Sequence, residues 1–243
     1  MMYYNLMPEI LKCSKDPLYF IVNFVQYKHP YKGLKNLTLS PQHKDVVKAY
    51  HESNKIIWNG ARETYKTLLS SAYILWYSLF NSDKTSFIVS LNKQHASDTL
   101  KKIMEMYRLL PAFMQLGIEK FNENCIEFSN GSRILAASEA SSMRGYAINL
   151  LFLDDFAFHT LSKQRDFWCD VFPMLAQDPT SKLILASCPS RYDYTDIFLG
   201  MFNATLNGLD SDFTLIYMPK LDYDKKQYID QAKYNTEYLC KYN

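Results

Sequence analysis

The octapeptide Gly60-Ala61-Arg62-Glu63-Thr64-Tyr65-Lys66-Thr67 constrains this chain more than any other feature. It has the length and the Lys-Thr ending of the phosphate-binding pattern G-x-x-x-x-G-K-[ST], with Tyr65 where the second glycine belongs. An apolar run, Lys55-Ile56-Ile57-Trp58-Asn59, precedes it, and a longer one from Leu68 to Phe80 follows. Strand, tight loop and helix in that order let backbone N–H groups at a helix N-terminus hold a phosphate chain. In such a loop Lys66 reaches the β- and γ-phosphates and the Thr67 hydroxyl binds Mg²⁺. Glycine at the sixth position permits positive φ and close backbone approach, and Tyr65 adopts that conformation only at a cost.

The flanking sequence alternates between strand and helix patterns. Residues 1–35 read as a helical segment, with Asp16-Pro17 as a helix start and Leu18 to Val25 as a short apolar helix ended by Pro30 and Gly33. Ser40 and Pro41 open another helix as N-cap and first-turn residue. After the loop, Thr85–Ser90 reads as a strand and Gln94–Leu110 as an amphipathic helix. Cys125–Phe128 and Arg133–Ala137 flank Ser129-Asn130-Gly131-Ser132, a hairpin signal. Ile148–Leu153 and Lys182–Ser187 are nearly unbroken apolar runs, the pattern of parallel strands buried on both faces. Phe213–Met218 is a last strand. These elements, with the strand–loop–helix motif, predict an α/β fold of the P-loop type. It is a three-layer sandwich on a mostly parallel sheet, preceded by the small N-terminal helical segment. The expected divisions are residues 1–35, an ATPase domain over 36–220, and a helical linker over 221–243.

Further chemistry accompanies the loop. Leu150-Leu151-Phe152-Leu153-Asp154-Asp155 is an apolar strand ending in two acids. Asp154 is placed to organise Mg²⁺ and Asp155 to act as general base on the attacking water. Ser187 ends the next central strand, with Cys188 after it, at the edge where ligands bind such sheets, and is a candidate to sense the γ-phosphate and transmit its hydrolysis. Arg62, inside the loop, and Arg144, before the acidic strand, are alternative arginine fingers for the charge that develops in phosphoryl transfer. Gln42, after Pro41, has the sequence position of an adenine-reading glutamine.

Composition excludes several classes. A length of 243 residues with 48% hydrophobic and 15% aromatic residues suits one large domain with small appendages. The formal charge of +2 gives no support to a protein that coats nucleic acid. The five cysteines (Cys13, Cys125, Cys169, Cys188 and Cys240) have no C-x-x-C spacing, which argues against a zinc site or disulfide framework and for a reducing compartment. Pro8, Glu9, Lys12 and Lys15 interrupt any signal-peptide pattern, and no run spans a bilayer.

Taken in order, these motifs resemble the ATPase domain of the large terminase subunit, the DNA-packaging motor of tailed bacteriophages and herpesviruses. The resemblance rests on the arginine-bearing loop, on Arg108-Leu109-Leu110-Pro111-Ala112-Phe113, and on the hairpin Ile126-Glu127-Phe128-Ser129-Asn130-Gly131-Ser132-Arg133-Ile134. It continues through Arg144-Gly145, the acidic strand end Leu153-Asp154-Asp155-Phe156-Ala157-Phe158, and Ser187-Cys188-Pro189-Ser190 at the family's coupling motif. Glu237-Tyr238-Leu239-Cys240 looks like the segment before the family's nuclease domain. The resemblance spans roughly residues 18–243. It implies a P-loop NTPase fold of the ASCE/RecA-like type, ATP and Mg²⁺ as cofactors, and ATP-driven movement of double-stranded DNA into a procapsid. It also implies the portal protein and small terminase subunit as partners, a homo-oligomeric ring on the portal, no membrane, and the host cell cytoplasm as location.

The chain departs from the family at three positions: Tyr65 replaces glycine, Asp155 replaces a glutamate base that is one methylene longer, and Ser190 replaces asparagine. The nuclease domain is not part of these 243 residues, so no nuclease activity is expected of them. Two other readings fit the same loop and acids: a helicase-like ATPase acting on nucleic acid, and a degenerate P-loop that binds nucleotide with little turnover.

Overall fold

Strands that are apolar at every position must be covered on both sides, and this requirement sets the architecture. The computed structural model describes residues 6–190, 197–209, 212–219 and 240. Helices α1 (Met7–Lys15) and α2 (Pro17–Phe24) come first. Asp16 separates them, its carboxylate accepting the Tyr19 N–H at 2.9 Å. Strands β1 (Gln26–His29) and β2 (Gly33–Asn36) form an antiparallel hairpin. Helix α3 (Pro41–Glu52), strand β3 (Lys55–Gly60) and helix α4 (Lys66–Phe80) follow, then β4 (Thr85–Val89) and α5 (Lys93–Leu109). Strands β5 (Ile118–Asn122), β6 (Cys125–Phe128) and β7 (Arg133–Ala137) form a meander. After β8 (Leu150–Asp154) come α6 (Leu161–Asp166), a π-helical turn over Phe167–Val171, and α7 (Phe172–Leu175). Strand β9 (Lys182–Ser187), helix α8 (Ile197–Leu206) and β10 (Thr214–Met218) complete the described elements.

The main sheet has eight strands in the order β10-β3-β9-β8-β4-β7-β6-β5. From β10 to β7 every pairing is parallel, and β6 and β5 add an antiparallel edge. Period-two alternation divides the apolar strands between two cores. Ile56, Trp58, Ile88, Phe152 and Ile184 face a core built with α1 to α5. Ile57, Val89, Leu151, Leu153 and Leu185 face a second core with Phe167, Val171, Leu175, Phe198 and Phe202. Helices thus cover both faces, as the apolar runs require.

Two elements differ from the sequence expectation. The segment expected to be helical to residue 35 stops at Phe24 and continues as the β1–β2 hairpin. Pro30 and Gly33 interrupt helix there, and Gly33 at φ +68° makes the turn that reverses the chain. Strand β5 carried no readable pattern because all five of its residues are exposed; it is held by its ladder to β6. The expected linker 221–243, including Glu237 to Leu239, lies outside the described residues apart from Cys240.

Candidate functional site

Register brings the chemistry to one edge of the sheet. Asn59 of β3 stands opposite Ser187 of β9, and Asp154 of β8 stands opposite Ala186. The loop after β3, the acids at the end of β8 and the serine at the end of β9 therefore share the carboxyl-terminal edge, where open parallel sheets bind ligands.

The loop itself is tightly built. A Cβ at Gly60 would lie 2.7 Å from Trp58 Nε1 and 3.0 Å from Thr64 Oγ1, so only glycine fits. The Thr64 hydroxyl donates to the Ala61 carbonyl at 2.7 Å and closes the turn. Glu63 and Tyr65 both adopt left-handed backbone, at φ +62° and +61°. No side chain caps the N-terminus of α4, so its first N–H groups are open to an anion. Lys66 is buried and folds back over the loop. Its ammonium donates to the carbonyls of Gly60 at 2.8 Å and Ala61 at 2.6 Å, and to Cys188 Sγ at 3.2 Å.

Thr67, one residue on, reaches the acidic strand: its hydroxyl donates to Asp154 Oδ2 at 2.8 Å. The other Asp154 oxygen, Oδ1, is buried and has no hydrogen-bond partner. Burial, with Asp155 alongside, pushes the Asp154 carboxyl up to about 7, against the Thr67 hydrogen bond and the nearby Lys66 and Lys102 charges. A buried carboxylate oxygen left bare beside a hydroxyl ligand fits Mg²⁺, which takes few protein ligands and keeps water and phosphate oxygens as the rest. Among the described residues no cluster of three His, Cys, Asp or Glu side chains offers a closed metal cage. Asp155 sits at φ +52° and opens the 3-10 turn Phe156–Phe158. The Ser187 hydroxyl accepts the Ala157 N–H of that turn at 3.2 Å and donates to the Cys188 carbonyl at 2.7 Å. It ties β9 to the turn that carries the acid pair.

A cavity of about 450 Å³ adjoins these groups. Arg62, Glu63, Thr64, Tyr65, Lys66, Thr67, Asp155 and Cys188 of the sequence-derived set line it. Gly60, Ala61, Asp154 and Ser187 do not line it but bond directly to residues that do, and the remaining two stand elsewhere. Gln42 is exposed and does not line the cavity; its neighbour His43 touches the loop instead, Nε2 lying 3.2 Å from the Thr64 carbonyl. Arg144 is exposed, away from the cavity, and pairs with Asp170 at 2.8 Å. Sequence reasoning missed Tyr27 and Lys28 of the hairpin, His43, and Lys102. Lys102, Glu105 and Met106 share one face of α5, a spacing legible in sequence, but nothing local assigned that face to the loop.

The hairpin after β6 also acts on the site, through α4. The Asn130 amide donates to the carbonyls of Ser78 at 2.9 Å, Leu79 at 3.4 Å and Asn81 at 3.2 Å, and the Ser132 hydroxyl to Asn81 at 2.5 Å. The motif thereby satisfies the open carbonyls at the C-terminal end of the loop helix. Gly131 is required by its φ of +79°, and a Cβ there would fall 2.2 Å from Asp83 Oδ1.

Known proteins share this fold. The family described as terminase large subunit, T4likevirus-type, N-terminal, matches residues 57–195. The ATPase domain of the Thermus phage P74-26 large terminase, in a point-mutant form, superposes with a TM-score of 0.65 at 13% identity, covering 85% of this chain and 95% of that one. The bacteriophage HK97 large terminase superposes with a TM-score of 0.72 at 18% identity, covering 94% of this chain and 48% of that one. The large terminase of a thermophilic bacteriophage, in complex with ADP, gives a TM-score of 0.62 at 13% identity, over 84% of this chain and 54% of that one. The chain thus spans about half the length of the HK97 protein. The structural likenesses show a shared RecA-like fold, and the sequence match covers more than half of the chain. With the strand-edge loop and acid pair in place, the chain belongs to the terminase large subunit family, matching its T4-type N-terminal region.

Proposed function

We propose that this chain is the motor part of a large terminase, hydrolysing ATP to move double-stranded DNA into a procapsid. The observation that carries this reading is the 2.8 Å hydrogen bond from Thr67 to Asp154, which joins the phosphate loop to the acidic strand in one centre. The N–H groups at the start of α4 and the loop Gly60–Thr67 hold the phosphate chain, and Lys66 leaves its loop carbonyls to meet the γ-phosphate. Thr67 and Asp154 would hold Mg²⁺, which neutralises charge on the phosphates when bound. Asp155 takes the proton of the attacking water as the new P–O bond forms, and the bond to the bridging oxygen breaks to release ADP. Arg62 serves as the finger in cis; Arg144, exposed and outside the cavity, suits a neighbouring subunit's site. Ser187 and Cys188 relay the phosphate state to β9, supported by the Ser187 bonds to Ala157 and Cys188.

Residues 36–220 form the motor unit in this reading. DNA, the portal protein and the small terminase subunit are its partners, in a ring on the portal in the host cytoplasm. Among the described residues no helix is long and apolar enough to cross a membrane. A second reading is nucleotide binding with little turnover, supported by the short Asp155 base and by Lys66 folded onto the loop.

Phosphate release from Mg-ATP, with and without DNA and portal, tests the motor reading. Wild type is expected to be stimulated by both, with Asp155→Ala at background. Wild type at background under every condition would leave only the second reading, and a gain of turnover in Asp155→Glu would then locate the defect in the base. Absence of portal binding would favour a helicase-like ATPase.

A further inference from the structure

Tyr65 is the residue that a phosphate loop should not contain, and its surroundings give it work. Left-handed backbone disfavours any residue bearing a Cβ, so the ring must be held there by its contacts. One contact is His43, whose ring centroid lies 5.5 Å away at 53°. His43 is itself fixed: Ser40 and His43 form the capping box of α3, and His43 Nε2 bonds the Thr64 carbonyl. Burial lowers the pKa of this imidazole, with the Thr64 hydrogen bond acting the other way. The β1–β2 hairpin brings Tyr27 to the same cavity wall as Tyr65. Helix α3 and the β1–β2 hairpin, both distant in sequence, therefore converge on the loop at Tyr65.

The Tyr65 ring nevertheless remains 39% exposed, and it lines the cavity. Tyr27, Pro30, Leu68 and Met106 add further aromatic and apolar wall, while Lys66 and Thr67 mark the phosphate end. A triphosphate anchored at the start of α4 has its sugar and base within reach of the residue just before Lys66. Gln42, the residue placed by sequence to read a base edge, is outside the cavity.

We infer that the nucleobase stacks on Tyr65, whose ring is braced by His43 beside Tyr27, so that the residue at the second glycine position is a base-binding residue. This rests on the nucleotide-binding reading of the site. Stacking uses the π-face that every base has, so it binds a base without reading its edge. ATP and GTP should therefore bind with affinities within a few-fold of each other.

Calorimetric titration of wild type, Tyr65→Phe and Tyr65→Gly with Mg-ATP, Mg-GTP and base-free Mg-tripolyphosphate separates the possibilities. Tyr65→Gly should lose roughly tenfold or more in affinity for both nucleotides, keep its tripolyphosphate affinity, and unfold at no lower temperature than wild type. Tyr65→Phe should keep most of the nucleotide affinity. A glycine variant that binds ATP as tightly as wild type overturns the inference, as does one that loses tripolyphosphate in parallel. Wild type that binds tripolyphosphate as tightly as ATP also overturns it while sparing the phosphate site. Wild type that binds neither removes the nucleotide reading as well.

Discussion

Two buried side chains with opposite tasks show what burial does to a charge in this protein. Asp154 is held at one oxygen by Thr67 and left bare at the other, and desolvation keeps its carboxyl well above the ordinary range. In the proposed reading a bound cation offsets that cost. Asp154→Asn should therefore fold normally and bind ATP equally in Mg²⁺ and in EDTA, whereas wild type should bind at least tenfold more tightly with Mg²⁺; parallel titrations check this. Lys182, at the opposite end of the sheet, donates to the carbonyls of Tyr50 at 2.9 Å, His51 at 3.1 Å and Ser53 at 2.9 Å, and so caps the C-terminus of α3. Burial lowers its pKa from 10.5 to about 8. The folded protein gives up this proton earlier than the unfolded chain, so the group's contribution to stability rises as pH climbs from about 8 towards 10.5. Between about pH 7.5 and 9.5 urea unfolding should show wild type gaining about 1 kcal/mol over Lys182→Met, a value discounted for partial solvent screening.

At the scale of elements, the hairpin between β6 and β7 holds the far end of the loop helix. Asn130 donates to carbonyls at the end of α4, and Asn130→Ala removes that amide from Ser78 and Leu79, leaving Asn81 to Ser132 alone. Urea titration should show a loss of about 1–3 kcal/mol with the ATP affinity of the folded protein preserved. A shift below about 0.5 kcal/mol would mean that water replaces the amide. The elements nearest the chemistry were the ones legible in sequence. Strands β3, β8 and β9 are continuous apolar runs, and the hairpin carries its Asn-Gly turn openly. Strand β5 and the β1–β2 hairpin were not legible, because their residues are polar or exposed and their stability comes from ladders and from packing on α5. His43 and Tyr27 escaped for a related reason. Their role depends on a tertiary approach to the loop, and neither residue type nor local spacing encodes that approach. Gln42 followed the motif pattern, but helix phase places it outward and turns His43 to the loop.

At the scale of the molecule, the first two helices share the core that buries the helix after the phosphate loop. Cys13, Phe20 and Ile21 are buried in the same cluster as Trp58, Trp76 and the loop helix, and Trp76 Nε1 donates to the Cys13 carbonyl at 2.7 Å. Phe20→Ala should therefore cost about 3–5 kcal/mol and lower the urea midpoint seen by tryptophan fluorescence and by far-ultraviolet dichroism together. Separate midpoints would mean that the N-terminal helices unfold as an independent unit. Two cores, one on each face of the sheet, thus support the single edge where the loop, the acid pair and Ser187 meet. Single-turnover hydrolysis of Mg-ATP, measured for wild type, Lys66→Ala and Asp155→Ala, tests that joint centre most directly. Asp155→Ala should bind ATP within a few-fold of wild type and hydrolyse it roughly a hundredfold or more slowly, while Lys66→Ala should lose binding as well. Hydrolysis by Asp155→Ala at the wild-type rate would contradict the assignment of the base and, with it, the joining of loop and acidic strand into one site.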